Sequence, residues 1–282
     1  MFSSAYRLTT GIHFLRFLHT HYKIMSTLHQ ENKGYMFTVI QNTYTGLLDI
    51  LYPRHCFACN KNLHEEENTY VCKICLENIK KIEALKRCNK CGFELGPGIT
   101  SSKKGCPECE NANLRFERSF FVSDYKWPLK DLIHQYKYNK HECLAKPLGG
   151  LLINLLSHKD IIPEIDVVVP VPLHWRKKLE RGFNQSELMA KRICKKLSLP
   201  ISINNLCRTK NTLSQTQLLR TQRQKNVSGA FKVKQPKAFF KKHVLLVDDV
   251  LTTGITASEC ARNLKSAGAE KVHFLALARA KL

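Results

Sequence analysis

Between residues 244 and 256 an apolar run meets two acids, two threonines and a glycine, in an order that can hold a phosphorylated sugar. The stretch reads Val-Leu-Leu-Val-Asp-Asp-Val-Leu-Thr-Thr-Gly-Ile-Thr. Val244 to Val247 is apolar throughout and too short for a helix, as expected of a strand buried on both faces of a parallel sheet. Ligands of such sheets lie beyond the carboxyl ends of the strands, where Asp248 and Asp249 fall. Their carboxylates can accept hydrogen bonds from vicinal hydroxyls or ligate a hard cation such as Mg²⁺. Thr252, Thr253 and Gly254 then supply backbone N–H groups, hydroxyls and close approach. Thr256-Ala257-Ser258-Glu259 has the form of a capping box. It predicts a helix opening at Thr256, with the positive end of its dipole toward a phosphate.

A second chemistry is written in cysteine. Of twelve cysteines, eight form four Cys-x-x-Cys pairs: Cys56/Cys59, Cys72/Cys75, Cys88/Cys91 and Cys106/Cys109. Each pair presents two thiolates from one tight turn, and two pairs complete a tetrahedral Zn²⁺ shell. The spacing speaks for metal rather than an oxidised scaffold and fits a reducing cytoplasm. Cys56, Cys59, Cys72 and Cys75 are assigned to one site and Cys88, Cys91, Cys106 and Cys109 to the other, with interleaved pairing the open alternative. Four thiolates leave no open position, so both zinc sites are expected to be structural. Redox use of the pairs is the competing chemistry; Cys143, Cys194, Cys207 and Cys260 stand alone.

Between Val171 and Lys242 the chain is dense in Lys and Arg, against only Glu180 and Glu187. One cluster, from Pro170 to Gln185, leaves a predicted strand at the same sheet edge as the acidic pair. Backbone N–H groups near Pro172, with Arg176 and Arg181, can hold a pyrophosphate there. A second, Gln215 to Val227, is polar and has the composition of a lid over a bound polyphosphate. A solvated cationic face is the plain alternative for both.

The elements that must position these groups alternate as strand and helix. Strands are predicted over residues 120–125, 166–171, 201–206, 230–233, 244–247 and 272–278, and helices over 129–138, 144–158 and 183–197. That alternation argues for an α/β fold, a parallel sheet with helices on both faces. Apolar residues from Phe37 to Leu51 recur at helical spacing until Pro53. The cysteine region holds turn signals and little apolar material, so it cannot build a core unaided.

The loop at 248–256 resembles the 5-phosphoribosyl 1-pyrophosphate (PRPP) loop of type I phosphoribosyltransferases. Arg-Gly-Phe-Asn-Gln at 181–185, Gln215 with Arg223 and Asn226-Val227-x-x-Ala230-Phe231, and Pro53 followed by the four cysteine pairs resemble the ComF family. These are late competence proteins linked to DNA uptake, with relatives associated with gluconate use. The resemblance runs from about residue 45 to the C-terminus. It implies a double zinc ribbon over residues 55–112 and a type I phosphoribosyltransferase-like domain over 113–282, after an amphipathic helix over 36–54. It also implies that Asp248 and Asp249 take the ribose hydroxyls and that Thr252, Thr253, Gly254 and Thr256 grip the 5-phosphate. Arg181 and Gly182 would belong to the pyrophosphate loop, beside Arg176, and Gln215, Arg223 and Asn226 to the catalytic loop. Gln222 stands where many relatives carry an acid, and Ile255 replaces a smaller residue.

Residues 1–35 are an extension with Arg7, Arg16 and Lys23 but no acid before Glu31. The composition is that of a transit peptide; a start at Met25 or Met36, or a disordered tail, is the preferred expectation. No membrane span is expected, since the run from Leu144 to Leu156 is short and broken by Lys146 and Pro147. A formal charge of +22 implies an anionic partner. The expected activity is binding of Mg²⁺·PRPP, with phosphoribosyl transfer to a nitrogenous acceptor, in a cytoplasmic protein acting with other DNA-uptake proteins. The alternatives are a PRPP sensor and a single-stranded DNA-binding module. In the latter, Trp127, Trp175, Tyr136 and Tyr138 would stack bases among the basic residues.

Overall fold

The computed structural model describes residues 54–63, 70–80, 87–102, 104–158, 164–210 and 226–280. The expected extension, and the amphipathic helix up to residue 53, lie outside the described residues, as do Gln215 and Arg223. In chain order the elements are α1 (Lys73–Lys80), α2 (Pro107–Ala112), β1 (Ser119–Asp124), α3 (Leu129–Tyr138), α4 (Ala145–Ser157), β2 (Val167–Pro170), α5 (Trp175–Arg181) and α6 (Gln185–Leu197). They continue with β3 (Leu206–Arg208), β4 (Phe231–Val233), β5 (His243–Leu251), α7 (Ile255–Ser266) and β6 (Lys271–Arg279).

Four strands form one parallel sheet in the order β1-β6-β5-β2, and β3 and β4 pair separately as an antiparallel ribbon. Because side chains alternate along a strand, the sheet has two apolar faces and needs a cover for each. Leu245 and Val247 of β5 point into one core with Leu132 and Ile133 of α3, Leu148 and Leu152 of α4, and Met189 and Ile193 of α6. Val244 and Leu246 point into the other, with Cys260, Ala261 and Leu264 of α7, and Phe231 and Phe239. Helices therefore cover both faces, as the alternation predicts.

The cysteine region divides between those two cores. Cys56 and Cys75, with Val71 and Ile79, join the first; Cys88, Cys91, Cys106 and Cys109, with Leu95 and Leu114, join the second. Arg87 forks onto Asp124 at the end of β1, 3.1 Å from each carboxylate oxygen. Gly92 packs so closely on Phe121 that a Cβ there would lie 2.0 Å from its ring.

Three local expectations are corrected. The strand around Val244–Val247 does not stop before the acids but runs to Leu251, because β6 continues to pair with it through Val250↔Ala278 and Leu251↔Arg279. The helix opens at Ile255 behind Gly254, whose φ is 76°, and not at Thr256. Glu259 is no capping partner: its carboxylate accepts from Gly229 N–H (2.9 Å) and from Arg262. The run 201–206 is not one strand either. Ile201 makes a single bridge to Val168, and Asn204, at φ 63°, breaks the chain before β3 begins.

Candidate functional site

The carboxyl ends of β2 and β5 open onto a cleft of about 170 Å³. Asp248, Asp249, Thr252, Gly254 and Thr256 line it, with Arg181 across from them. The same cleft holds Lys137, Lys177, Arg208, Gln185 and Ser186. Four cations thus face two carboxylates, a balance that favours an anionic guest. The floor is the first turn of α7, where backbone N–H groups and the helix dipole also favour negative charge.

The two acids are held differently. Asp249 is buried and receives Lys137 Nζ at 2.7 Å. Burial alone would push the Lys137 ammonium down, but the Asp249 carboxylate outweighs it and leaves the pKa above its ordinary value. Asp248 accepts from Ser186 Oγ (2.8 Å) and from its neighbour's backbone N–H (2.9 Å). Burial, and then the charge of Asp249, push its carboxyl up to about 7 despite those bonds. One lysine does not neutralise two crowded carboxylates. Hard oxygen donors in that state suit a cation such as Mg²⁺ or a pair of donor hydroxyls.

The Arg-Gly-Phe-Asn-Gln motif builds the opposite wall. Gly182 closes α5 in the left-handed conformation (φ 84°), its N–H donating to Lys178 C=O at 2.9 Å. Asn184 then caps α6 by accepting from Ser186 N–H (3.1 Å), while its amide donates to Val171 C=O (3.1 Å). The amide of Gln185 donates to the Tyr136 carbonyl (3.4 Å), and the Tyr136 hydroxyl donates to the Gln185 carbonyl (3.1 Å). These bonds tie the start of α6 to the ends of β2 and α3, which places Ser186 against Asp248 and leaves Arg181 in the cleft. Arg181 also reaches Gln185 Oε1 (3.2 Å) and lies over the ring of Tyr138.

Other expected residues lie elsewhere. Arg176 stacks on Trp175, 5.2 Å from its ring centre, outside the cleft lining. Gly182 is the hinge between helices rather than a cleft residue. The buried hydroxyl of Thr253 accepts from Ile255 N–H (3.4 Å) and faces a separate seam beside Cys91, Leu114 and Arg279. Asn226 is half-buried and precedes Val227 and Ser228, which border another cleft with Arg115, Glu259 and Arg262. Tyr136, offered as a stacking residue, is fully buried core; Trp127, Tyr138 and Trp175 are exposed.

Lys137, Lys177, Ser186 and Arg208 were not legible as site residues. Ser186 follows the Arg-Gly-Phe-Asn-Gln motif directly and carries the one available signal, a hydroxyl at the start of a helix beside a conspicuous motif. Lys137 sits near the end of an ordinary amphipathic helix, and only the tertiary fold brings it to Asp249.

The eight paired cysteines gather sequentially into two groups, Cys56/Cys59/Cys72/Cys75 and Cys88/Cys91/Cys106/Cys109, with the four sulfurs of each within 4.8 Å of one another. The interleaved alternative is thereby excluded. Zn–S bonds of about 2.3 Å in a tetrahedron place sulfurs ~3.8 Å apart. Here Cys59–Cys72 is 3.7 Å, Cys88–Cys109 3.7 Å, Cys91–Cys106 3.6 Å and Cys106–Cys109 3.8 Å. The donors fit the metal. Without one, thiols this close cannot ionise together: the hydrogen bond with Cys109 holds Cys91 down to about 5, and the same contact pushes Cys109 up.

Family models for a double zinc ribbon domain and a phosphoribosyl transferase domain match residues 47–110 and 179–281. Competence protein F of Haemophilus influenzae is 30% identical over 231 residues, covering 80% of this chain and 96% of that protein. DNA utilization protein YhgH of Escherichia coli (strain K12) is 32% identical over 212 residues, covering 74% and 90%. Among solved structures, glutamine PRPP amidotransferase from B. subtilis covers 47% of this chain and 25% of that one, at 23% identity and a TM-score of 0.32. With two Cys₄ centres in sequential pairing, a parallel sheet behind them and a relative aligned along nearly its whole length, this chain belongs to the ComF family: a double zinc ribbon joined to a phosphoribosyltransferase-type domain.

Proposed function

We propose that the cleft binds Mg²⁺·PRPP and that the protein serves DNA uptake as a cytoplasmic phosphoribosyltransferase-like protein, acting with other DNA-uptake proteins. The observation that carries the ligand is the pair Asp248/Asp249 facing the first turn of α7 across a cleft lined by Lys137, Lys177, Arg181 and Arg208. Thr252, Gly254 and Thr256 would take the 5-phosphate, the acids the ribose diol, and Arg181 with Lys177 the pyrophosphate. Gln215 and Arg223 keep the catalytic-loop role that the family resemblance gives them, with Asn226 at its base. Asp248 and Asp249, with the ligand, would hold Mg²⁺, which would supply positive charge to a departing pyrophosphate. The reaction supported is cleavage of the C1–O bond, pyrophosphate leaving with the bonding electrons, and formation of a C1–N bond to an acceptor that gives up a proton. Its transition state is oxocarbenium-like, so holding the leaving group is where cations act. The uptake role rests on the names of the relatives, a competence protein and a DNA utilization protein. Among the described residues no helix is long and apolar enough to cross a membrane.

A second reading, a module for single-stranded DNA, is favoured by α5. No residue of that helix is buried; Trp175 is 59% exposed beside Arg176, Lys177 and Lys178. Tyr138, half exposed under Arg181, adjoins it at the cleft. Aromatic platforms among cations suit unpaired bases.

One titration separates these readings. The full chain, zinc-loaded and in Mg²⁺, is titrated calorimetrically with PRPP, and with single-stranded DNA at two salt concentrations. PRPP is expected to bind, and Asp248→Asn/Asp249→Asn to weaken it at least 100-fold. Pyrophosphate release on addition of nitrogenous acceptors to the PRPP complex marks a transferase; binding without release in their presence marks a sensor. Absence of PRPP binding by the unaltered chain overturns the proposal, and DNA affinity that falls steeply with salt would leave the second reading standing.

A further inference from the structure

We propose that the second Cys₄ centre positions the loop 251–254 through Arg279, so that zinc at that centre, and not at the first, sets the geometry of the cleft floor. Arg279 ends β6 and is 4% exposed. A buried guanidinium is costly unless its hydrogens are used. Nε donates to Cys91 C=O at 3.0 Å, and the two hydrogens of Nη1 are shared among Leu251 C=O at 3.1 Å, Thr252 C=O at 2.6 Å and Ala280 C=O, with the Cys91 side chain also beside the guanidinium. One side chain thus joins the backbone of a zinc-ligand residue to both residues that enter the phosphate-type loop.

Two further contacts run the same way. Leu114, five residues beyond Cys109, fills the space where a Cβ of Gly254 would lie, 2.8 Å away. Ser258 Oγ, in the first turns of α7, donates to Asn113 C=O (3.0 Å) and accepts from Arg115 N–H (3.1 Å). Between the knuckle and the loop there remains a cavity of only about 10 Å³, barely the room one water needs. The seam is tight, so displacement of the knuckle is transmitted to the loop. A metal that ties the Cys91 sulfur to its three partners would hold the Cys91 carbonyl in place; groups bonded to metal-ligand residues orient the site in the same manner as other outer-shell partners. The first centre packs into the core on the opposite face of the sheet; among the described residues its side-chain tie runs from Trp127 Nε1 to Ala58 C=O (3.3 Å), not to the loop 251–254.

The consequence for PRPP rests on the reading above; the positioning itself does not. The test therefore reads amide hydrogen exchange, which reports local opening without a ligand. In the intact zinc-loaded chain, Arg279→Met and, separately, Ser258→Ala are expected to speed exchange over residues 250–260 about tenfold and severalfold. Zinc content stays at two per chain and exchange over residues 129–138 is unchanged. Cys106→Ser, which removes the second metal, should reproduce the effect, and Cys72→Ser at the first centre should not. Should Arg279→Met not fold, Ser258→Ala and the two cysteine variants decide. Unchanged exchange in Ser258→Ala and Cys106→Ser, or equal acceleration by Cys72→Ser, overturns the proposal. PRPP affinity is measured on the same samples and is expected to fall at least tenfold with the second metal gone. If the unaltered chain binds no PRPP while the exchange differences stand, the ligand reading fails and the positioning holds.

Discussion

Asp248 and Asp249 are adjacent in sequence yet carry different burdens. Asp249 is paired with Lys137 at 2.7 Å, whereas burial, and then the charge of Asp249, raise Asp248 to about 7. The sequence announces the acids but not their inequality, because Lys137 and Ser186 come from α3 and α6 and nothing local to the acids names them. The inequality has a consequence in the physiological range. A carboxylate must be ionised to accept from a diol or to ligate Mg²⁺, so Asp248 is competent only above its own pKa. If competence is the ionised fraction, affinity for Mg²⁺·PRPP rises roughly tenfold between pH 6 and pH 8 and levels off beyond. Calorimetry across that range measures it. Asp248→Asn should bind more weakly and lose most of the slope, the remainder reporting ionisation of the ligand's own phosphates. A profile flat from pH 6 to pH 8 in the unaltered chain would show that Asp248 is not a partner of the ligand.

At the scale of elements, the strand–helix alternation is readable in the sequence, and α3 falls at its expected limits, 129–138; the run 201–206, which gives a single bridge and only the start of β3, and the short helix α5 are not. What misled was the end of β5 and the start of α7. Two acids look like the end of a strand, but backbone pairing with β6 is indifferent to side-chain charge and carries the strand on to Leu251. Thr256 and Glu259 look like a capping box, but Gly254 in the left-handed region starts the helix earlier and Glu259 is taken by Gly229 and Arg262. Gly254 is therefore the residue on which the loop-to-helix turn depends, for two separable reasons. Gly254→Ala must adopt φ 76° with a side chain, costing about 1–2 kcal/mol, and must push a Cβ against Leu114, 2.8 Å off. Denaturant unfolding is expected to show a total loss of about 2–4 kcal/mol. Leu114→Ala relieves the clash but not the backbone strain, so a double-mutant cycle should return a favourable coupling of about 0.5–2 kcal/mol. Additivity of the two variants would mean that Leu114 does not press on the loop.

Over the whole molecule, the cysteine module is less an appendage than a part of both cores of the sheet. A short segment with few apolar residues cannot fold by itself, and here it does not have to: Cys56, Cys75 and Ile79 share a core with Phe120 and Leu132, while Cys88, Cys91 and Leu114 share the other with Phe116 and Leu246. The cysteine spacing told of two metals but not of this division, since nothing in a knuckle states which face of a distant sheet it will meet. Because each centre belongs to a different core, metal binding and folding of the α/β domain are linked. Residues 54–282 form one compact unit, so stripping zinc from the intact chain is expected to lower a single melting transition rather than melt the ribbons alone. Structural zinc contributes on the order of 10–16 kcal/mol to a small domain. Even if the sheet draws only ~3–5 kcal/mol of that, the midpoint falls by about 6–20 °C at this chain length. Scanning calorimetry of zinc-loaded and chelator-treated protein, with far-UV circular dichroism to follow the helices, measures both. Cys75→Ser and Cys106→Ser should each lower that same transition, the first through the face bearing α3, α4 and α6, the second through the face bearing α7. A melt of the sheet and helices left in place after both metals are gone would separate the two parts of the chain and make the ribbon a passenger on the sheet it covers.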